Sequence, residues 1–117
     1  MSALPVKING TKFGEITING KPYDSDMTVF WDGKLSYRTK EHTFEVGELL
    51  TVLRPGPEII VIGTGEEGVL RIAPEVNQIA EQKGIKMYAE KTSKAIDLFN
   101  AFSDQGKKVA GVFHVTC

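Results

Sequence analysis

The chain has 117 residues, the length of about one domain, and 41% of them are apolar. Its 14 basic and 15 acidic side chains give a formal net charge of −1, which excludes the chain-wide positive charge that nucleic-acid binding needs. The longest apolar run, Ile59–Ile62, is far shorter than the roughly 20 residues of a membrane helix. We therefore expect one domain over residues 1–117, a cytoplasmic location, and neither a nucleic-acid nor a membrane partner.

The first third of the chain has the pattern of a β-meander. Asn19-Gly20 lies between two stretches that mix apolar and polar residues, and this dipeptide is a strong signal for a β-hairpin. Two further strands are predicted at Met27–Trp31 and Lys34–Thr39, where β-branched and aromatic residues are frequent. Among them, Phe30, Trp31 and Tyr37 either form an exposed patch for a partner or pack beneath the sheet.

Helical and strand patterns alternate in the rest of the chain. Apolar residues from Val46 to Leu53 recur at helical spacing, with Thr43 as a candidate N-cap. The segment Glu58–Ile62 is nearly all apolar, which suits a strand buried on both faces. The remaining predicted elements are a helix over Pro74–Lys83, a strand over Ile85–Ala89, a helix over Thr92–Ser103 and a strand over Val109–Val115.

This alternation indicates parallel strands joined by right-handed crossovers. The carboxyl ends of strands 58–62 and 85–89 should then lie side by side, so that the glycine loop after Ile62 and the helix start at Thr92 form one rim. Backbone N–H groups at both places favour anions, and a lysine there would add a full charge. The predicted anion-binding residues are Gly63, Thr64, Gly65, Thr92, Lys94 and Asn100.

Each of these features also has a simpler interpretation. The loop Gly63–Gly68 matches G-x-G-x-x-G, but Glu66 and Glu67 place negative charge where a pyrophosphate would rest. The loop is then only a glycine-rich turn, and Thr92 only caps its own helix. Asn100 either fixes a neighbouring loop or is simply exposed.

His42, His114 and Cys117 are the candidates for metal binding or thiol chemistry. The spacing of three places His114 and Cys117 on opposite faces of a continuing strand, and no zinc-site spacing accompanies them. Cys117 is the one cysteine, so no internal disulfide can form, which fits a reducing compartment. We therefore predict no catalytic residue, no metal and no cofactor.

Several segments together carry a resemblance to a known family: Phe13-Gly14-Glu15-Ile16, Tyr23-Asp24-Ser25-Asp26, His42, Ile60–Gly65, Thr92–Ala95, Phe99-Asn100 and Gly106–Cys117. From Phe13 onward the chain resembles the Mth-domain family, a domain of unknown function found in archaea and bacteria. The closing Gly-Val-Phe-His-x-Thr-Cys is similar to the archaeal and adipogenesis-associated branch. The family includes an adipogenesis-associated cytosolic protein and a mitochondrial assembly factor for respiratory complex I. The resemblance implies a compact α/β domain and no established catalytic activity.

The predicted fold class is α/β: a single three-layer domain with a mixed central sheet flanked by helices and an N-terminal β-meander layer. The direction of its last strand stays open. The predicted function is a non-catalytic interaction or assembly module with a protein partner, and a homodimer is open because edge strands can pair. The alternative is a protein or enzyme that binds a small anion or phosphorylated metabolite at the cleft of Gly63–Gly65 and Thr92.

Overall fold

The computed structural model describes residues 6–39, 41–54 and 56–117. Its elements within these ranges are numbered here in chain order. The strands are β1 Ile8–Lys12, β2 Glu15–Ile18, β3 Lys21–Tyr23, β4 Met27–Val29, β5 Leu35–Tyr37, β6 Thr43–Phe44, β7 Ile59–Thr64, β8 Arg71–Ile72, β9 Lys86–Glu90 and β10 Val109–His114. The helices are α1 Val46–Val52, α2 Pro74–Gln82 and α3 Thr92–Asp104.

The central sheet has five strands in the order β5-β4-β10-β7-β9, and its pairing is mixed. Strand β7 pairs in parallel with β9, from Ile59 opposite Lys86 to Gly63 opposite Glu90. The prediction that these two strands end side by side is therefore confirmed. Strand β10 lies between β7 and β4, parallel to β7 and antiparallel to β4, which settles the direction of the last strand.

A separate antiparallel sheet of β1, β2 and β3 forms the N-terminal layer. Strands β2 and β3 pair across Asn19-Gly20, so the predicted hairpin is confirmed. The predicted meander is too broad, because β4 and β5 belong to the central sheet instead. All three residues of β4 are buried, so this strand needs cover on both faces and a neighbour on each side.

Two apolar clusters pack on opposite faces of the central sheet. One joins Val61 and Phe113 to α3 and the N-terminal sheet, and the other joins Ile60 and Ile62 to α1 and α2. Neighbouring residues of β7 thus point to opposite clusters, as the pleat of a strand requires. The mixed α/β fold with helices on the sheet is confirmed, and β7 is buried on both faces as predicted.

Helix boundaries lie close to the predicted ones, but the predicted N-cap at Thr43 is wrong. Thr43 belongs to β6 and pairs in parallel with Arg71 of β8. Glu45 precedes α1 and makes no side-chain cap hydrogen bond. Pairing with the distant strand β8 therefore uses the residue that the helical pattern assigned to the cap.

Candidate functional site

The carboxyl ends of β7 and β10 meet the start of α3 at one corner of the central sheet. We define the strand-end corner as Gly63–Gly68, Thr92 and His114–Cys117. A Cβ added to Gly63 would lie only 2.9 Å from Thr92 Oγ1. The structure therefore brings the glycine loop and the helix start together, as the alternation of strands and helices predicts.

The hydroxyl of Thr92 joins three elements at this corner. It accepts a hydrogen bond from the Gly65 N–H at 2.9 Å and donates one to the His114 carbonyl oxygen at 2.6 Å. Thr92 is 1% exposed and makes no cap bond, because Lys91 is the N-cap residue and carries no side-chain cap. The simpler interpretation, that Thr92 caps its own helix, is therefore wrong.

The N–H groups of the glycine loop bind the chain itself. The Glu66 N–H donates to the Thr116 main-chain carbonyl oxygen at 2.8 Å. The N–H groups of Glu67 and Val69 donate to the Cys117 main-chain oxygen at 3.2 and 3.1 Å. A Cβ on Gly65 would lie 2.3 Å from the Cys117 carbonyl carbon, so only glycine admits this close approach. An anion at these donors would have to displace main-chain acceptors, and anion binding stays a prediction.

The other predicted anion-site residues lie at different distances from the corner. Thr64 Oγ1 donates to the Glu90 carbonyl oxygen at 3.1 Å, and the exposed Lys94 ammonium lies 3.7 Å from the Glu90 carboxylate. Asn100 lies eight residues along α3 from Thr92, about 12 Å away. There its amide binds both the N–H and the C=O of Ile8, at 2.9 and 2.8 Å, so it fixes β1 to α3.

A buried carboxylate lies behind the strand-end corner. Asp26 is 2% exposed, and its Oδ2 accepts hydrogen bonds from Arg38 Nη1 at 2.9 Å and from His114 Nδ1 at 2.7 Å. Its Oδ1 accepts a third bond from the Val115 N–H at 3.0 Å. Asp26 thus joins the start of β4 to the end of β10 and to the residue that follows β5.

Arg38 is buried and uses all of its donor capacity. Its guanidinium donates to the carboxylates of Asp26 and Glu48 and to the carbonyl oxygens of Glu41 and Thr43. These five bonds tie the residue before β4, helix α1, and the main chain at and just before the start of β6 to one side chain. A buried charge is tolerable only when it is paired and hydrogen-bonded, and Arg38 meets both conditions.

Thr116, His114 and Asp26 stand in the order of a hydroxyl, an imidazole and a carboxylate. The Thr116 hydroxyl lies 3.3 Å from His114 Nε2, on the opposite side of the ring from Asp26. A catalytic triad uses this order, but there the hydroxyl oxygen must contact a substrate. All three side chains here are more than 90% buried, so their hydrogen bonds serve the packing of β10.

His42 covers this buried network from the surface. Its ring makes an edge-on contact with the His114 ring, with 5.3 Å between centroids. Within the described ranges no group of three or more His, Cys, Asp or Glu side chains is arranged to hold a metal ion. Over the same ranges, no helix has the length and apolar content that crossing a bilayer requires.

The sequence reasoning missed Asp26 and Arg38, although the hairpin contains a signal for them. Strands β4 and β5 pair symmetrically about Asp32, with Met27 opposite Tyr37. This register brings the Arg38 N–H to the Asp26 carbonyl oxygen at 2.9 Å, so an acid and a base lie opposite each other just beyond the last pair. An acidic and a basic residue at equal distances from a predicted turn would have indicated the ion pair.

Two of the exposed large apolar side chains flank the strand-end corner. Phe13 is 61% exposed, and the next residue, Gly14, donates its N–H to the Val115 oxygen at 2.8 Å. Val69 is 41% exposed and contacts Cys117 through its own N–H. The corner therefore has exposed apolar side chains next to two of the residues that follow β10.

Solved structures with this fold come from several sources. A conserved hypothetical protein, PH1505 from Pyrococcus horikoshii OT3, is 28% identical, with a TM-score of 0.85 over 95% of this chain and 99% of its own. A protein called MT938 is 30% identical, with a TM-score of 0.82 over 96% and 99%. A Bordetella pertussis protein, described as a Mth938-like domain, shares the fold at 15% identity, with a TM-score of 0.75 over 92% and 84%.

A family model agrees with these structures. The model for a protein of unknown function, DUF498/DUF598, matches residues 8–114, which is most of the chain. The resemblance noted in the sequence to a Mth-domain family is confirmed by this match and by MT938 and the Mth938-like domain. The chain belongs to the DUF498/DUF598 family, whose function is unknown.

Proposed function

We propose that this domain is a non-catalytic interaction module that binds a protein partner at the strand-end corner. Phe13 and Val69 are its apolar anchors, and both lie next to the segment His114–Cys117. We further propose that the protein acts in the cytoplasm, since a single cysteine fits a reducing compartment.

The observation that carries this proposal is that the corner exposes apolar side chains at its surface, while main-chain donors of its loop are bound within the chain. The main-chain contacts of Gly14 with Val115 and of Val69 with Cys117 bring both anchors to the same short segment after β10. Exposed apolar groups that lie close together favour a protein contact over a small polar ligand. The N–H groups of Gly65, Glu66 and Glu67 are already bound within the chain, which favours the side chains as the contact surface.

The interior of the corner supports such a surface because buried hydrogen bonds hold its elements together. Thr92, Asp26 and His114 fix the end of β10 through buried hydrogen bonds. A preformed surface loses little conformational entropy on binding, so two apolar anchors contribute more to affinity than on a mobile loop.

Site-specific photo-crosslinking in cells tests the proposal. A photoreactive phenylalanine analogue replaces Phe13 in one variant and Leu50, an exposed apolar residue of α1, in the control. We expect one discrete adduct from position 13, identifiable by mass spectrometry, and none from position 50. The Val69→Asp substitution should reduce the position-13 adduct at least tenfold.

The same variants separate the proposal from anion binding. Equal adducts at positions 13 and 50, or no adduct at either, would contradict a partner at the corner. A rise in melting temperature with millimolar inorganic phosphate that Lys94→Glu abolishes would instead support the anion cleft, because bound ligand stabilises the folded state by mass action.

A further inference from the structure

One edge of the central sheet, β5, directs main-chain hydrogen-bonding groups outward, and among them the Tyr37 carbonyl oxygen accepts a 3.3 Å hydrogen bond from the neighbouring Ser36 hydroxyl. The Phe30 N–H donates to the Lys34 oxygen and the Arg38 N–H to the Asp26 oxygen, both within the β4–β5 hairpin. Hydrogen-bonded and non-hydrogen-bonded pairs alternate along an antiparallel ladder. The main-chain N–H and C=O groups of Ser36 therefore also point toward β4. The N–H and C=O groups of Leu35 and Tyr37 therefore point away from the sheet.

The side chains of β5 leave this edge accessible. Tyr37 is 69% exposed, and Leu35 is half-buried on the same face of the sheet. Ser36 is exposed on the opposite face. An edge with open donors and an exposed apolar residue is a template for pairing with another strand.

We propose that a second copy of this chain pairs with β5 in antiparallel orientation, about a two-fold axis through Ser36. In this register Leu35 of each copy lies opposite Tyr37 of the other, and each pair exchanges two main-chain hydrogen bonds. In this register, both residues of β5 whose main-chain groups point outward, Leu35 and Tyr37, pair with residues of β5 in the second copy. The two five-stranded sheets then form one continuous ten-stranded sheet.

The side-chain pairs across this axis are complementary on the apolar face. Leu35 of one copy covers the Tyr37 ring of the other, and the symmetry repeats the contact. Aromatic and aliphatic side chains in directly opposed positions stabilise antiparallel pairs. The pairing thus removes from solvent the most exposed of the large apolar side chains described in this chain.

The opposite face supplies complementary charge. A groove of about 270 Å³ lies between β5 and α1, and Arg38, Glu41 and Glu48 are among its lining residues. Asp26 and Glu48 both bind Arg38, so these four residues together carry two excess negative charges. In the proposed register, Lys34 of the second copy lies opposite Arg38 on this face, beside the acidic groove.

Lys34 is available for this contact. Its side chain is 81% exposed, and its ammonium lies 4.0 Å from Asp32 at the surface, a contact of little energetic value. Each copy offers one lysine and one acidic groove. The two-fold axis therefore brings each lysine next to the acidic groove of the other copy.

Disulfide trapping tests the register in the full-length chain with Cys117→Ser. Across the axis, Ser36 and its copy form a non-hydrogen-bonded pair with Cα atoms about 4.5 Å apart, within disulfide range. Ser36→Cys should give mostly covalent dimer under mild oxidation. Lys34→Cys is the matched control, because its copy lies four residues along the strand, about 13 Å away, and should give almost none.

Light scattering across a concentration series tests the association without cross-linking. We expect a mass approaching twice that of one chain at high concentration, and Tyr37→Lys should weaken the association at least tenfold, while Leu50→Lys leaves it unchanged. A monomer at millimolar concentration with no Ser36→Cys dimer overturns the proposal. Equal cross-linking at positions 34 and 36, or an edge that binds only an extended peptide of another protein, also overturns it.

Discussion

The strand-end corner and the β5 edge contrast in how they use their backbone. At the corner, the N–H groups of Gly65, Glu66 and Glu67 bind acceptors within the chain. At the edge, the polar groups of Leu35 and Tyr37 point outward. The corner resembles an anion site in sequence, but its donors serve the fold.

This difference shows that a glycine-rich loop predicts donors without predicting their acceptor. The loop after β7 binds main-chain oxygens of residues 116 and 117, because β7 and β10 end together at Thr64 and His114 and the chain continues beyond β10. The two proposed contact surfaces therefore differ in kind: side chains form the one at the corner, and main-chain groups form the one at the β5 edge.

The largest expected loss of stability compares a substitution in the interior of the corner with one at the surface of the molecule. Asp26→Ala removes the acceptor of three buried donors and leaves the Arg38 charge without one of its two carboxylates. We expect a loss of about 3–5 kcal/mol in the free energy of unfolding. Chemical denaturation measures it, with Glu15→Ala, which removes a surface ion pair, expected to cost less than about 1 kcal/mol. Equal losses would mean that the network contributes no more than a surface pair.

A second prediction compares two glycines with positive φ. Gly65→Ala places a Cβ against the Cys117 carbonyl group at φ +104, whereas Gly84, at φ +71, has open space at that position. We expect Gly65→Ala to cost at least about 3 kcal/mol, since backbone strain of 1–3 kcal/mol adds to the clash. Gly84→Ala should cost only about 1–2 kcal/mol, the strain alone. Thermal unfolding measures both, and a smaller loss at Gly65 would show that residues 116 and 117 move away easily.

The smallest predicted effect compares two hydroxyl groups, one in each region. Thr92→Val leaves the Gly65 N–H and the His114 oxygen without a partner at a buried position. We expect a loss of about 1–3 kcal/mol. Ser36→Ala removes an exposed hydroxyl from the edge and should change stability by less than about 0.5 kcal/mol. Thr92→Ser retains the hydroxyl and should recover most of the loss; failure to do so would assign the effect to the methyl group.

Most of the fold could be predicted from local patterns. The apolar run in β7, Pro74 at the start of α2 and the apolar stripe of α3 each specify an element without distant contacts. The short strands β6 and β8 could not be predicted, because two-residue strands have no periodicity of their own. The place of β4 in the central sheet also depends on β10, 80 residues later in the chain.

Less of the candidate site could be predicted. The meeting of Gly65 with Thr92 followed from parallel pairing, whereas the use of the Thr92 hydroxyl depends on the His114 carbonyl group in a third element. Asn100 had an open interpretation, and the structure assigns it to the position of β1. Hydrogen bonds between a side chain and the main chain of a distant element decided each of these outcomes.

The position of Asp26 has a consequence for how the two surfaces fluctuate. One of its oxygens binds Arg38 beside the edge strand and His114 beneath the corner, and the other binds the chain that follows β10. Local opening at either surface must break bonds to the same carboxyl group. Amide protons near Arg38 and Val115 should therefore exchange with solvent in one cooperative step, and a partner that holds one surface closed should slow exchange at the other.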